Sequence, residues 1–503
     1  MERDNVQILI TSSEAVPFSK TGGLADVCGA LPRAIEHLGH QAVLMVPAYR
    51  STMNSSLMIE PLGIEFVIPI GTKTVTGQLL RAQIPDSDVQ VYLIRQDKYF
   101  DRKGLYGENG KDYPDNCERF VFFSRAVMEA IRLLHLNVDV IHANDWQTGL
   151  IPAYLQTQYR HVPQYSKIAS IFTVHNLAYQ GIFWHWDMLL TGLDWKYFNL
   201  HQMEYYGKLS LLKTGIAFAD SITTVSPRYA LEIQTDQFGC GFDPLLRHRG
   251  NDLYGILNGV DTKVWNPATD ELIAEKYDIN TYAEGKAKCK AALQKRLGLP
   301  QQPDIPMIGL IGRVAHQKGF DMVATVMEQW CREGRDIQWV ILGEGDDRIE
   351  DRLKDIAARF PSNVAVEIDF DESLAHSIEA GSDMFLMASR FEPCGLSQMY
   401  SMLYGTLPVV SETGGLADTV VEMTPGTLKN KTAVGFRFEM GSVFAMANTL
   451  EMAIDVFTNN REAWNSMIEN GMKSDLSWER SAQKYVELYE QTIATLDRRM
   501  NLF

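Results

Sequence analysis

The chain has 503 residues, of which 46% are hydrophobic and 22% charged, and this composition predicts a globular protein with two or three domains. Its formal net charge of −16 argues against nucleic acid or an anionic membrane as the main partner, because both favour a basic protein face. The cysteines lie far apart with no Cys-x-x-Cys pair, so neither a disulfide framework nor a zinc site is indicated. The N-terminus lacks the features of a signal peptide and no apolar run has the length of a membrane span, so we expect an intracellular protein.

Short apolar runs alternate with helix-length amphipathic segments through the first half of the chain. The runs predict strands at 6–10, 41–46, 89–94, 138–141, 168–174, 221–225 and 252–257. This alternation is typical of βαβ units in a mostly parallel sheet, where ligands bind beyond the carboxyl ends of the strands. Residues just past those ends are therefore the first candidates for a functional site.

The first predicted strand is followed by a glycine turn that opens a helix, Ser-Lys-Thr-Gly-Gly-Leu-Ala-Asp-Val at 19–27. A helix start presents free N–H groups that bind anions, Gly22 and Gly23 let the backbone approach a ligand, and Lys20 adds a positive charge. The hexapeptide Thr-Gly-Gly-Leu-Ala-Asp recurs at 413–418, again after an apolar run. The alternative is that both turns need glycine only for tight packing. Two identical copies favour a ligand shared by two similar halves.

Polar residues also follow the strands predicted at 138–141 and 168–174. Asn144 and Asp145 supply amide and carboxylate groups of the kind that bind sugar hydroxyls. Either residue is equally explained as the N-cap of a helix. His175 follows the second of these strands, where a lone histidine is more often structural than catalytic.

Two segments in the middle of the chain interrupt this alternation. The segment 101–116 is rich in glycine, tyrosine and charge and predicts a long surface loop, either a solvated excursion or a lid that faces the substrate. A helical, charged segment punctuated by prolines at 263–306 predicts the connection between two domains. After it the strand pattern resumes, with predicted strands at 307–311, 338–342, 364–368, 384–387 and 407–410.

Charged residues follow two strands of this second sheet. Arg313 and Lys318 come after the first strand, where two cations beside a helix N-terminus can neutralise a diphosphate without a metal. Glu392 follows the fourth strand, with Gly395 at the start of a predicted helix. The structural alternative for Glu392 is an acidic residue at a helix N-terminus, stabilised by the helix dipole. Neither a P-loop nor a complete dinucleotide fingerprint occurs, which disfavours both kinds of nucleotide site.

The motifs in the two halves resemble those of the bacterial glycogen synthase and plant starch synthase family, in the same order over 6–488. They are Lys-Thr-Gly-Gly-Leu-Ala-Asp-Val at 20–27, His-Asn-Leu-Ala-Tyr-Gln-Gly at 175–181, Asn-Gly-Val-Asp at 258–261, Gln-Lys-Gly at 317–319, Ser-Arg-Phe-Glu-Pro-Cys-Gly-Leu at 389–396, Tyr-Gly-Thr at 404–406 and Thr-Gly-Gly-Leu-Ala-Asp at 413–418. The resemblance implies the GT-B fold of retaining glycosyltransferases, in which two Rossmann-like α/β domains face each other across a deep cleft. The implied domains are an N-terminal, acceptor-side domain at 1–262, the connection at 263–306, a C-terminal, donor-side domain at 307–475, and a helix at 476–503 that returns to the first domain.

The same resemblance implies an activity. A glycogen or starch synthase transfers glucose from ADP-glucose to the non-reducing end of an α-1,4-glucan, retains the anomeric configuration and releases ADP. It uses neither a metal nor pyridoxal phosphate, and it acts in the cytoplasm, or in a plastid-like stroma where a transit segment is already absent. The oligomeric state does not follow from the resemblance.

Site residues are implied by their positions in the motifs. Catalytic roles are implied for Asp145, His175, Arg313, Lys318 and Glu392. Donor binding is implied for Lys20, Gly22, Gly23, Asn176, Arg313, Lys318, Phe370, Cys394, Gly395, Thr413, Gly414 and Gly415. Acceptor binding is implied for Glu14, Asp26 and Asn258.

The chain departs from the family pattern at two places. Asp369 and Phe370 stand where related sequences often have Gly-Tyr, so Phe370 would be the ring on the adenine. Ser411 and Glu412 stand where a pair of arginines is frequent, which removes positive charge near the donor.

Two other classes of protein are the alternatives to this interpretation. A non-catalytic glucan-binding or regulatory protein on this fold would be expected to have lost its charged site residues, and Lys20, Arg313, Lys318 and Glu392 are all present. A phosphorylase-like enzyme would need a lysine site for pyridoxal phosphate, for which no local pattern is found.

Overall fold

The computed structural model describes residues 5–501, so residues 1–4 and 502–503, at the ends of the predicted N-terminal domain and C-terminal helix, lie outside the described residues. The described chain forms two compact α/β units. The first comprises residues 5–259 and 478–501, and the second comprises Val260–Ser477. None of the helices within residues 5–501 is long and apolar enough to cross a membrane.

The first unit is built on a nine-stranded sheet. The strands of this unit are β1 (Gln7–Thr11), β2 (Gln41–Pro47), β3 (Glu60–Ile70), β4 (Lys73–Gln83), β5 (Gln90–Arg95), β6 (Gly107–Glu108), β7 (Lys111–Asp112), β8 (Val140–Asn144), β9 (Ala169–Val174), β10 (Ile182–Phe183), β11 (Glu204–Tyr205), β12 (Lys208–Ser210), β13 (Ser221–Thr224) and β14 (Leu253–Gly255). The order in the main sheet is β14-β13-β9-β8-β1-β2-β5-β4-β3. The strands from β14 to β5 in this order are parallel, whereas β4 and β3 form an antiparallel hairpin at one edge.

Helices cover this sheet and bury its central strands. They are α1 (Gly23–His37), α2 (Arg50–Met53), α3 (Asp97–Phe100), α4 (Asn116–Leu133), α5 (Leu150–Tyr154), α6 (Met188–Thr191), α7 (Leu211–Phe218), α8 (Pro227–Glu232) and α9 (Asp243–His248). Every residue of β8 and β9 is buried, as expected for parallel strands with both faces covered.

The hairpin of β3 and β4 lies outside the predicted strands. In β3 the residues from Phe66 onwards alternate between buried and exposed, which is the usual signal of a strand with one buried face. The sequence shows this alternation only in part, because the exposed Val67 and Pro69 have apolar side chains too. The turn at Gly71, which has a positive φ of 59°, is the clearer signal.

The second unit contains a six-stranded, all-parallel sheet in the order β17-β16-β15-β18-β19-β20. Its elements in chain order are α10 (Tyr282–Arg296), β15 (Met307–Ile311), α11 (Phe320–Arg332), β16 (Gln338–Leu342), α12 (Asp347–Arg359), β17 (Val364–Glu367), α13 (Glu372–Gly381), β18 (Met384–Met387), α14 (Ser397–Leu403), β19 (Leu407–Ser411), α15 (Gly414–Thr419), α16 (Pro425–Lys429), β20 (Phe436–Phe438), α17 (Val443–Asn459) and α18 (Arg461–Met472). The predicted strands at 307–311, 338–342 and 384–387 match the observed bounds.

The segment predicted as the interdomain connection, 263–306, is instead part of the second unit. The Tyr277 hydroxyl donates to the Tyr404 carbonyl over 2.8 Å, and the buried Lys290 ammonium pairs with Asp383 at 2.7 Å. The prolines and charges of this segment predicted a linker, because the sequence alone does not show that Tyr277 and Lys290 have partners far along the chain. The division between the units falls after Gly259 and after Ser477.

The last helix, α19 (Trp478–Met500), packs with the first unit. Its buried residues recur every three or four positions: Trp478, Ser481, Ala482, Tyr485, Leu488, Tyr489, Thr492, Ile493 and Leu496. The Tyr489 hydroxyl bonds His142 Nδ1 at 2.8 Å, and burial lowers the pKa of His142 to about 3. His142 is therefore a neutral structural residue that ties α19 to β8.

Both main sheets have a switch point beside their first strand. The chain leaves β1 for β2 on one side and later returns to β8 on the other, and β15 lies in the same way between β16 and β18. At such a point the connecting segments diverge and leave a crevice at the carboxyl ends of the strands.

Candidate functional site

Glu14 lies beneath the first glycine turn and holds it in place. The side chain is only 3% exposed, and its carboxylate accepts hydrogen bonds from the backbone N–H and the hydroxyl of Thr21. The Tyr106 hydroxyl donates to the same carboxylate over 2.8 Å. Burial raises the pKa of Glu14, and these hydrogen bonds oppose the rise. The family resemblance implies that Glu14 lies near the acceptor. The contacts observed here show that it supports the glycine turn.

The turn itself is exposed and charged. Lys20 and Asp26 form an ion pair at 2.7 Å, with both side chains partly in solvent. An exposed pair of this kind contributes little to stability, so the Lys20 ammonium can exchange Asp26 for an anion at small cost.

The two copies of the Thr-Gly-Gly turn need glycine for different reasons. At Gly22 and Gly23 an added Cβ would meet no atom within 4 Å, and neither residue has a positive φ. At Gly414 and Gly415 the added Cβ would lie 2.0 and 2.1 Å from the carbonyl oxygens of Glu392 and Cys394. Tight packing therefore explains the second copy. It does not explain the first, where the space above the turn is open to a ligand.

This difference predicts opposite outcomes for two alanine variants. Gly415→Ala should lower the free energy of unfolding by about 1–3 kcal/mol, because the new Cβ overlaps backbone that cannot move freely. Gly23→Ala, at the first position of α1, should change it by less than about 1 kcal/mol. Urea unfolding of both variants beside the parent checks this, and equal losses of stability would contradict it.

Asp145 directly follows β8 and has a strained backbone. Its φ of 57° and ψ of 179° lie in a region that is almost restricted to glycine and costs about 1–3 kcal/mol for other residues. The helix-cap explanation fails, because its side chain makes no capping bond to the short 3₁₀ helix that follows. The carboxylate instead accepts the backbone N–H of His175 at 2.8 Å. Strain at a crevice is a common mark of a functional residue.

His175, at the end of β9, is held in one tautomer. Asn144 uses its amide N–H groups to donate to the Thr11 and His142 carbonyls, each at 3.2 Å. Its carbonyl oxygen must therefore accept from His175 Nε2, 2.8 Å away. Burial lowers the pKa of His175 to about 3, so the ring is neutral and Nδ1 carries the lone pair. His175 can thus accept a hydrogen bond from a sugar hydroxyl.

The burial of Asp145 predicts a dependence of stability on pH. Burial raises its pKa to about 7, against about 4 in an unfolded chain. Between these values the folded protein holds the proton and the unfolded chain does not, so the stability due to this carboxyl falls as the pH rises from about 4 to about 7.

The check is Asp145→Asn, which cannot titrate and has nearly the same shape as aspartate, so the parent and the variant share the backbone strain. From pH 5 to pH 8 the parent should lose stability relative to this variant, by at most about 1.4 kcal/mol per pH unit below the folded pKa. Urea unfolding at the two pH values measures the difference. A constant difference, or a parent that gains stability with pH, would contradict the assignment.

The segment 101–116 has a packed base and an exposed tip. Buried Arg119 donates to the carbonyls of Tyr99 and Leu105, each at 2.8 Å, and Tyr106 reaches Glu14. The tip is the two-stranded hairpin of β6 and β7. The base of the segment is therefore packed against the rest of the first unit and is not a solvated loop. That the tip acts as a lid over the substrate remains a prediction.

Two further candidates of the first unit lie near the carboxyl ends of β9 and β14. Asn176 follows His175, and its side-chain oxygen accepts the Ala178 N–H at 3.0 Å. Asn258 is buried, and its side-chain oxygen has no hydrogen-bond partner among residues 5–501.

In the second unit, Lys318 and Glu392 meet at the switch point between β15 and β18. The Lys318 ammonium lies 2.5 Å from Glu392 Oε2, and the Ser389 hydroxyl donates to the same oxygen over 3.0 Å. The Glu392 side chain is almost fully buried, whereas that of Lys318 reaches solvent. One of the three N–H donors of Lys318 serves Glu392, which leaves two for another ligand.

Glu392 is not a helix-end carboxylate. The helix that follows it, α14, begins at Ser397 and has no acidic residue in its first turn. The backbone around Glu392 is instead clamped by the second glycine turn, where the Gly415 N–H lies 3.2 Å from the carbonyls of Glu392 and Pro393. The dipole explanation therefore fails for this residue.

The remaining candidates of the second unit surround this pair. Arg313 follows β15 on the exposed surface, after Gly312, whose φ is 153°. Cys394, two residues after Glu392, is buried. Gly395 has a φ of 73°, which turns the backbone that follows. Thr413 is the buried N-cap residue of α15.

Phe370 follows β17 and is 79% exposed. The exposed phenyl ring is available to stack on a flat group.

Two residues of these sites were not among the predicted site residues. They are Tyr106, which supports Glu14, and Ser389, which bonds Glu392. Asn144, a predicted candidate for binding sugar hydroxyls, is the residue that fixes the His175 tautomer. Ser389 lies in a polar stretch after a strand, which is a usable signal. Tyr106 has no such signal, since its partner is distant in sequence.

Comparisons with known proteins agree with this arrangement. The profile of the starch synthase catalytic domain matches residues 7–248, and that of glycosyl transferases group 1 matches residues 294–473. A glycogen synthase of Rhodopirellula baltica is 43% identical over 98% of this chain and 99% of that protein. A glycogen synthase of Syntrophotalea carbinolica is 44% identical over 97% of this chain and 99% of that protein.

Two solved structures are similar. The catalytic domain of starch synthase IV from Arabidopsis thaliana, bound to ADP and acarbose, has a TM-score of 0.88 at 30% identity, over 97% of this chain and 99% of that chain. Sucrose-phosphate synthase from Thermosynechococcus elongatus has a TM-score of 0.57 at 17% identity, over 97% of this chain and 100% of that chain, which shows a likeness of fold.

The fold and the profile matches define a glycosyltransferase with the GT-B fold, which confirms the predicted fold class. Within that class, the chain belongs to the family of glycogen synthases and starch synthases, as the resemblance of its motifs implied.

Proposed function

We propose that this protein transfers glucose from ADP-glucose to the non-reducing end of an α-1,4-glucan, with retention of configuration and release of ADP. The observation that carries the proposal is the pair of Lys318 and Glu392 at the switch point of the second sheet, in a chain of this family. A cation with spare donors beside a buried carboxylate suits a ligand that joins a diphosphate to a sugar. The relative solved with ADP and acarbose supports this choice of ligands.

In this proposal Lys318 and Arg313 bind the diphosphate and stabilise the charge that develops as it leaves. Such preorganised donors contribute about 3 kcal/mol each to the stabilisation of a transition state. The acceptor hydroxyl attacks from the face on which the diphosphate departs. A diphosphate oxygen takes the acceptor proton, so configuration is retained without a covalent intermediate.

Glu392 would orient the donor glucose and stabilise positive charge at its anomeric carbon, although Lys318 neutralises part of its own charge. Phe370 would stack on the nucleotide base, and the turn at 413–415 would contact the phosphates. Neither a metal nor pyridoxal phosphate is part of the proposed mechanism.

The first unit would bind the sugar and the glucan. His175 presents Nδ1 as an acceptor for a glucose hydroxyl, and Asp145 holds its backbone. Lys20 and the open turn at Gly22 and Gly23 would contact the donor phosphate. Acceptor binding by Asn258, and by Asp26 and Glu14 beside the turn, stays a prediction, as does the cytoplasmic location.

The experiment that tests the function is release of ADP from ADP-glucose with and without glycogen. Release is expected only with glycogen, with glucose incorporated into the polymer in equal amount. Release that does not depend on glycogen, or binding without any release, would overturn the proposal.

The choice of nucleotide is tested by comparing kcat/KM for ADP-glucose and UDP-glucose. The kcat/KM for ADP-glucose should be the higher of the two, because membership of the glycogen and starch synthase family favours this donor. Phe370 would stack on either base, and Ser411 and Glu412 supply no positive charge, so neither feature by itself selects ADP-glucose. Equal values, or a preference for UDP-glucose, would overturn the assignment of ADP-glucose but keep that of a glycosyltransferase.

A further inference from the structure

Three tryptophans of the first unit form an exposed surface that the proposed reaction does not use. Trp184, Trp186 and Trp195, here called the tryptophan patch, are 63%, 48% and 40% exposed. The ring centroids of Trp184 and Trp186 are 6.4 Å apart, and those of Trp186 and Trp195 are 5.5 Å apart. Leu189 and Leu200 are exposed on the same segment. An exposed aromatic cluster of this size marks a binding surface rather than ordinary solvent-facing structure.

The patch is held rigidly from below. Between Trp186 and Trp195 the chain is anchored at Thr191, whose carbonyl accepts from Arg125 Nη2 at 2.8 Å and from the Tyr154 hydroxyl at 2.9 Å. Met188, in the same helix, is completely buried. A partner that binds here therefore loses little free energy in ordering the tryptophans.

The patch continues directly from the proposed sugar site. The segment that begins at His175 runs through Gly181 into Phe183, just before the first tryptophan. The Phe183 ring lies 5.6 Å from that of Trp146, and Trp146 follows Asp145. The patch therefore lies on the segment that leads out of the proposed sugar site, in the same unit.

The chemistry of the patch favours a neutral, hydroxylated chain as its occupant. Flat indole rings stack on the apolar faces of sugars, and an indole N–H can donate to a sugar hydroxyl. The ionisable groups in the segment have both signs, with Asp187 and Asp194 beside Lys196. The net charge of −16 disfavours an anionic membrane as the alternative.

We propose that the tryptophan patch is a second glucan-binding site, which holds an α-1,4-glucan chain apart from the residues that carry the reaction. This inference rests on the proposed function for the identity of the polymer. The patch would raise the affinity for long chains, because a polymer held at two places dissociates more slowly than one held at a single site.

The test is the double variant Trp184→Ala/Trp186→Ala, with Trp184→Ala alone as a milder change. Phe444→Ala, which removes an exposed aromatic ring of the second unit, is the matched control. Migration in native gels containing glycogen measures binding without any donor. The parent and the control should be retarded, and the double variant should bind about tenfold more weakly. In the transfer assay its KM for glycogen should rise by about the same factor, with kcat and KM for maltotriose unchanged.

The outcomes separate this inference from the proposed function. A parent that binds glycogen but releases no ADP would refute the proposed function, while the gel would still test the patch. Equal retardation of parent and double variant would overturn the inference. The same holds if the variant keeps its glycogen affinity but changes its elution volume in gel filtration, because the patch would then contact a second copy of the chain.

Discussion

Lys318→Ala is expected to lower kcat for glucosyl transfer by about 10²- to 10³-fold. The reason is that Lys318 would stabilise charge that appears only as the diphosphate leaves, so its loss raises the barrier more than it weakens binding of the donor. Steady-state ADP release at saturating ADP-glucose and glycogen measures the change. A variant with kcat within about threefold of the parent would remove Lys318 from the mechanism.

A matched control comes from the opposite, amino-terminal end of the strands in the same sheet. Lys290 pairs with Asp383, just before β18, at 2.7 Å, and is more deeply buried than Lys318. Lys290→Ala breaks a buried ion pair and should lower the free energy of unfolding by about 3–5 kcal/mol. Well below its melting temperature its kcat should remain close to that of the parent. Lys318→Ala also leaves a buried carboxylate, Glu392, without its cation and should lose stability too, but its kcat should fall by the full factor at a temperature where both variants are folded. Two folded variants that lose kcat in parallel would point to a general loss of structure.

Arg313→Ala extends the same argument to the second cation. Its side chain lies on the surface after β15, so its removal should leave the melting temperature nearly unchanged. A fall in kcat comparable to that of Lys318→Ala is expected if both cations bind the departing diphosphate.

Glu392→Gln is expected to lower kcat by about 100-fold with little change in melting temperature. Glutamine has the same shape and still accepts the hydrogen bond from Ser389, so the local packing is kept. The Lys318 ammonium loses its partner but reaches solvent. What disappears is the negative charge that would stabilise the anomeric carbon.

The comparison variant is Glu232→Gln, which neutralises a buried glutamate paired with Arg228 at 3.1 Å in the first unit. It should keep kcat, because Glu232 has no part in the proposed reaction. Thermal unfolding and ADP release are measured on the same preparations. A Glu392→Gln protein that melts lower but turns over normally would make Glu392 a structural residue.

Local pattern was enough to predict much of the fold. Most strands of the two main sheets follow from short apolar runs that are buried on both faces, and eleven of the twelve predicted strands begin within one residue of the observed start. The strands β3, β4 and β20 were not predicted. The motifs also placed Lys318 and Glu392 after strands, where parallel sheets bind ligands. The same local reasoning mistook 263–306 for a linker, since Tyr277 and Lys290 find partners far along the chain.

The sequence by itself therefore determined the alternation of strands and helices, the family, and which residues follow the strands. Only the tertiary structure decided what those residues do. Asp145 proved to support His175 across 30 residues of sequence, and Glu392 proved to pair with Lys318 across 74. It also separated two identical Thr-Gly-Gly turns, of which only the second is packed against backbone. The physical reason is that such contacts depend on which strands are neighbours in the sheet, and the periodicity of a single segment carries no information about its neighbours.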